Sequence, residues 1–170
     1  MSGAEERTGH AIKRAEQALI AAKDAALRPF DLTVPQYAAL LLLAGQPGLS
    51  GAELARRALV TPQTMSTVLA NLERKGLVDR AVHPVHSRIV EVRLTDRGAD
   101  LLRRADQAAL RVEAALDAAL GSGVDQLRHL LGTAAAALDH HRSTAPSSPD
   151  GPAGDGGAVH RSGTVGVPRR

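Results

Sequence analysis

Two helix starts stand eleven residues apart near the middle of the chain, at Ser50 and Thr61, and this spacing leaves room for little but a helix and a turn between them. Ser50-Gly51-Ala52-Glu53 has the capping-box spacing, a hydroxyl at the N-cap and a carboxylate at N3. The helix it opens reaches only to about Ala58, with Leu54, Ala55 and Ala58 facing inward, before a tight turn at Leu59-Val60. Thr61-Pro62 then gives an N-cap and a proline at the first helical position, where a missing N–H is no loss. From Pro62 to Lys75, Met65, Val68, Leu69 and Leu72 fall at i, i+3, i+4 and i+7, the spacing of one buried stripe. The other side carries Gln63, Ser66, Thr67, Asn71 and Arg74, with Thr64 at the border, and Gly76 supplies a C-cap.

Strand signals follow at once. Leu77 to Val82 and Arg88 to Leu94 read as two strands, with His83-Pro84-Val85-His86-Ser87 as the hairpin tip. In the second, Val90, Val92 and Leu94 alternate with Glu91 and Arg93, which predicts a half-buried strand. Thr95 caps a long helix from Asp96 to Leu120, with a stripe of Leu101, Ala105, Ala108, Val112, Ala115 and Ala119. Gly121-Ser122-Gly123 breaks it, and a last helix runs from Val124 to about His141. Upstream, Ile12, Ala15, Leu19, Ala22 and Ala26 predict a helix from about Glu5 to Leu27, ended by Pro29. Thr33 caps a further helix through Leu43, with Pro35 in its first turn; its run Ala38 to Ala44 is apolar on nearly every side, as a central core helix is. The fold class is therefore mostly α with a small β-hairpin.

Composition removes several function classes. With no cysteine there is no disulfide framework, thiolate metal site, thiol nucleophile or thiol redox sensor. The stretch Met1 to Thr8 is polar and acidic, which predicts no signal peptide. The longest apolar run, Tyr37 to Ala44, is too short for a bilayer, so the expected location is the cytoplasm, with no membrane partner. Residues 143–170 change character: six glycines, four prolines and four serines but no leucine or isoleucine predict a disordered tail behind one domain over residues 1–142. Arginine outnumbers lysine 18 to 3, which codon bias explains as readily as function. Placement says more. Between Ser50 and Gly98, eight arginines and lysines face five acids, so this lobe alone carries the whole net charge of +3.

Two helices and a β-hairpin, with a small polar face on the second helix, describe a winged helix-turn-helix. At Leu32-Thr33-x-x-Gln36-Tyr37, Glu53-Leu54-Ala55, Thr61-Pro62-Gln63-Thr64, Leu72-Glu73-x-x-Gly76-Leu77-Val78-x-Arg80, Arg88 and Leu94-Thr95-x-x-Gly98, the chain resembles the MarR family of bacterial transcription regulators. The resemblance covers about Ala4 to His141. It implies a homodimer in which the long flanking helices pair, one recognition helix per subunit entering a major groove of double-stranded DNA at a pseudo-palindromic operator, and more often repression than activation.

The residues are suited to that role. Thr61 and Thr64 lie at a helix N-terminus, where free N–H groups meet phosphate. Gln63, Ser66 and Thr67 are short or amide-bearing groups that reach base edges, and glutamine suits adenine. Arg74 at the far end is placed for a phosphate, and Arg88 beside the hairpin tip for the minor groove, where the resemblance puts the wing arginine. A solvated helix face usually carries more Glu and Lys; this one has no acid before Glu73, which favours contact with an anion. One departure stands out. The family usually has an acid two positions before the wing arginine, and this chain has His86. Either Arg88 is held differently here, or His86 adds a donor to the wing, with His83 another.

The resemblance also implies an effector pocket. By position His10, Arg14, Phe30 and Tyr37 are its candidate lining, suited to a small aromatic or anionic effector; core packing of Tyr37 and Phe30 and exposure of His10 and Arg14 is the simpler reading. No enzyme, cofactor or metal is expected. Gly48-Leu49-Ser50-Gly51 falls short of a nucleophile elbow, and helix capping accounts for Ser50. His140 and His141 point about 100° apart on a helix, and His10, His129 and His140 lack an i, i+4 partner for a zinc site. No phosphate-binding loop or dinucleotide fingerprint occurs. The rival reading is a winged-helix dimer that serves protein–protein assembly, in which a partner chain would cover the face from Gln63 to Thr67.

Overall fold

The computed structural model describes Gly3 and residues 7–82 and 90–144. Six helices and three strands follow in the order α1 (Thr8–Leu27), α2 (Val34–Gly45), β1 (Leu49–Ser50), α3 (Gly51–Arg57), α4 (Pro62–Arg74), β2 (Val78–Val82), β3 (Val90–Leu94), α5 (Asp96–Leu120) and α6 (Val124–Thr144). A 3₁₀ turn, Arg28–Phe30, joins α1 to α2.

Capping residues set most helix starts. The hydroxyls of Thr33, Ser50, Thr61 and Thr95 accept from the backbone N–H groups of Gln36, Glu53, Thr64 and Gly98. Thr33 and Ser50 are full capping boxes, because Gln36 and Glu53 reach back to the N-cap N–H. Helix α2 lies at the centre, with Tyr37, Ala39, Leu40 and Leu43 buried. Its apolar surface is not wholly covered, since Leu41 remains 45% exposed.

The sheet is three-stranded and antiparallel, in the order β1-β3-β2, rather than the two-stranded hairpin read from the sequence. The extra strand is only Leu49–Ser50, which pairs with Val92 and Glu91. A two-residue strand has no periodicity to detect. The alternation expected in β3 also fails at two adjacent positions: Val90 is exposed, whereas Glu91 is buried at 8% exposure. Gly48, at φ +81°, explains how, because its missing side chain leaves room for the Glu91 carboxyl that a Cβ would meet at 3.2 Å. Arg93 donates to that carboxylate at 2.8 Å.

Helix α5 is seated by backbone contact. Thr95 N–H donates to Leu77 O, and Thr95 Oγ1 to Gly76 O at 2.8 Å. A Cβ on Gly98 would stand 2.0 Å from the Leu77 carbonyl oxygen, so only glycine fits. The Leu94-Thr95-x-x-Gly98 motif is thus a docking device for the long helix. Of the expected stripe on α5, Ala105 and Ala108 are buried, with Leu102 and Ala109 beside them, but burial does not continue to Ala119. Ala115 and Ala119 are exposed, as are Leu110 and Leu116, because the core covers only the first half of the helix. On α1 only Leu27 is buried, and Ile12 and Ile20 are exposed.

From residue 125 onward α6 is a compact unit of its own. None of its residues is buried, and Leu130, Leu131 and Leu138 are exposed. Its described residues run to Thr144, where Ser143 and Thr144 turn their hydroxyls back to the carbonyls of Asp139 and His140 at 3.0 Å.

Candidate nucleic-acid interface

Helix α3, a turn and α4 form the centre of the candidate site. The turn is closed by Ala58 N–H to Leu54 O at 2.8 Å and Val60 N–H to Ala55 O at 3.0 Å. Leu59 sits in it at φ +56°, in the left-handed region. Helix α4 then holds Met65, Val68, Leu69 and Leu72 in the core, the four residues expected from their spacing.

That anchoring fixes what α4 presents outward. Thr61, Gln63, Thr64, Ser66 and Thr67 are all exposed. Thr61 is engaged at the cap: its Oγ1 accepts from Thr64 N–H at 3.1 Å and lies 2.8 Å from Thr64 Oγ1. Thr67 Oγ1 donates to Gln63 O at 3.3 Å. The side chains of Gln63 and Ser66 have no hydrogen-bond partner among the described residues and are open to an outside ligand. Farther along, Asn71 donates to Thr67 O at 3.0 Å, and Arg74 donates to the Asn71 amide oxygen. Arg74 is thus exposed but already steered along the helix.

The wing root stands beside this helix. Arg80 on β2 pairs with Glu73 of α4 at 3.1 Å, neutralising the first acid on the helix. His86 and Arg88, with the rest of the hairpin tip, lie outside the described residues.

The four candidate effector residues are not assembled into one pocket. His10 and Arg14 are exposed on α1, and Arg14 lines a groove with Ala11, Ala15, Gln17 and Ala18. Phe30 is half-buried and lines a different cavity, of about 540 Å³, with Asp31, Lys75, Leu77, Arg97, Leu101 and Arg104. Tyr37 is buried, and its hydroxyl donates to Asp106 Oδ1 at 2.6 Å. Burial, then the Asp106 hydrogen bond and the negative charges of Asp106 and Glu113, push the Tyr37 hydroxyl pKa well above the ordinary tyrosine value. Asp106 was missed in the sequence, for nothing local to either residue marks a partner 69 positions away. Among the described residues no group of His, Asp and Glu could hold a metal ion, and no helix is long and apolar enough to cross a membrane.

A short capped helix, a tight turn and a second helix with an open polar face, braced by a three-stranded sheet, define a winged helix-turn-helix protein. Comparison with known proteins gives the particular group. The chain belongs to the MarR family, whose model matches residues 30–89. The HTH-type transcriptional repressor Rv2887 of Mycobacterium tuberculosis is 44% identical over 98 residues, 58% of this chain and 70% of that protein. Among solved structures, the transcriptional repressor CouR bound to a 23-mer DNA duplex superposes with a TM-score of 0.72 at 32% identity, covering 79% of this chain and 98% of that one. The Mycobacterium tuberculosis MarR family protein Rv2887 in complex with salicylic acid matches at a TM-score of 0.61 and 36% identity, covering 76% and 97%.

Proposed function

We propose that this chain is a homodimeric, sequence-specific DNA-binding transcriptional repressor whose grip is relieved by a small aromatic or anionic ligand. One observation carries the DNA reading: Gln63 and Ser66 project, unengaged among the described residues, from a helix whose other face is locked in the core. Gln63 and Ser66 would read base edges, with Thr67 beside them, while Thr61, Thr64 and Arg74 hold phosphates. Arg88, flanked by His86, would enter the minor groove. CouR, solved on a DNA duplex, supports the same use of the fold here.

Dimerisation is supported by apolar side chains left open on separate elements. Ile12 and Ile20 on α1, Leu110 and Leu116 on α5, and Leu130, Leu131 and Leu138 on α6 are all exposed, more than isolated surface residues account for. Relief by a small acid is supported by Rv2887, solved with salicylic acid.

A footprint on the promoter beside its own gene tests the reading. The expected result is a protected pseudo-palindrome with half-site centres about 10–10.5 base pairs apart, or a multiple of that. Salicylate titrated into that complex should release the DNA. Equal binding to the promoter and to random duplex would overturn sequence-specific regulation and favour a protein–protein assembly module.

A further inference from the structure

Leu59 is the most exposed of the large apolar side chains described, at 91%, and it is held at φ +56°. Each fact alone is unremarked in many proteins; together they leave the leucine without an internal reason. Its side chain buries nothing in the core, so packing does not select it. Its backbone conformation crowds any Cβ and is met without strain by glycine, so the turn does not select it either. Nor is the turn loose, because Leu59 N–H donates to Arg56 O at 3.4 Å and the next N–H is fixed on Ala55 O. An exposed leucine on a rigid, strained stem is a side chain held toward something outside the chain.

Its place names the partner. Leu59 comes two residues before the Thr61 N-cap of α4, and the N-terminal end of a recognition helix is the end that meets base edges. The exposed Arg56 and Arg57 precede it and the open side chain of Gln63 follows. The apolar feature offered by the major groove is the C5-methyl group of thymine. We infer that Leu59 packs on a thymine methyl at the edge of the major groove and specifies that base pair. The inference rests on the DNA-binding reading proposed above.

The experiment uses the full-length chain and duplexes selected from a random pool by the wild-type protein. Leu59→Gly removes both strain and side chain, and Leu59→Ala removes the contact but keeps the conformation. Leu59→Gly should melt no lower than wild type, yet bind the selected duplex more weakly. Replacing thymines one at a time by deoxyuridine should weaken wild type about fourfold at one position per half-site, the loss of one buried methyl. Leu59→Gly and Leu59→Ala should be indifferent at that position. Wild-type affinity in Leu59→Gly, or equal deoxyuridine effects in all three proteins, would overturn the contact. If the wild-type protein selects no sequence at all, the DNA-binding reading fails and the contact with it. A change in oligomeric state with unchanged DNA binding would assign Leu59 to a protein partner instead.

Discussion

The Tyr37 hydroxyl and the Asp106 carboxylate, 2.6 Å apart, tie the central helix α2 to the long helix α5. A second tie, Lys23 to Glu113 at 2.5 Å, joins α1 to the same helix. The helices around the winged lobe are therefore held by polar contacts as well as by the Leu40, Leu102 and Ala105 core.

Tyr37 is the only tyrosine of the chain, which also lacks tryptophan, so its ionisation can be followed alone. Its folded pKa lies above the unfolded value of about 10. The stabilisation it contributes is therefore complete below about pH 10 and is lost as pH rises through the folded value. Tyrosinate absorbance of the native protein should appear only at higher pH than in urea. Tyr37→Phe should lower stability at pH 7 by about 1 kcal/mol and remove this alkaline loss.

Glu53 behaves in the opposite sense. The Ser50 backbone N–H, then the Ser50 hydroxyl, hold its carboxyl below the usual glutamate range. Its contribution is present above the unfolded pKa and is lost as pH falls through the folded value. Urea midpoints measured from about pH 5 downward should fall less steeply for Glu53→Gln than for wild type.

Two glycine-to-alanine changes should have opposite effects. Gly98→Ala drives a Cβ into the Leu77 carbonyl oxygen and should destabilise by about 3 kcal/mol or prevent folding. Gly132, within α6, has open space around the same position, so Gly132→Ala should stabilise that helix by roughly 0.5–1 kcal/mol. Paired denaturation curves read both.

On DNA, Gln63→Ala should leave the melting temperature unchanged, because the residue is exposed and holds nothing inside the protein. It should reduce discrimination at one base pair per half-site by about 1–3 kcal/mol. Equal losses on specific and random duplex would make Gln63 a backbone contact only.

Arg88→Ala, removing two cations from the proposed dimer, should lessen the slope of log affinity against log salt by about two units. Free histidine gains its charge near pH 6.5, so a DNA contact by His86 should strengthen binding as pH falls from about 8 to about 6, and His86→Asp should abolish that dependence. An unchanged slope in Arg88→Ala would take the wing out of the DNA contact.

Much of this architecture was written locally. Ser50, Thr61 and Thr95 announce helix starts because a cap acts within three residues, and the α4 stripe is visible because period and burial coincide. What escaped was set by distant partners. Strand β1 exists only because Val92 and Glu91 are there to pair with it. Glu91 turns inward into space that Gly48, 43 positions earlier, leaves beside its carboxyl. Leu59 resembled an ordinary turn residue in the sequence, since neither its φ nor its exposure is encoded in spacing.

Ser50 ends a strand of the wing sheet and is also the N-cap of the first helix of the helix-turn-helix. No spacer separates the two, so there is no torsional freedom at that point to absorb a movement of either. Strand β1 and α3 are therefore directly coupled, and a displacement of either is passed to the other through Ser50. An insertion between Leu49 and Gly51 would be felt twice, as a slipped strand register and as a lost helix cap.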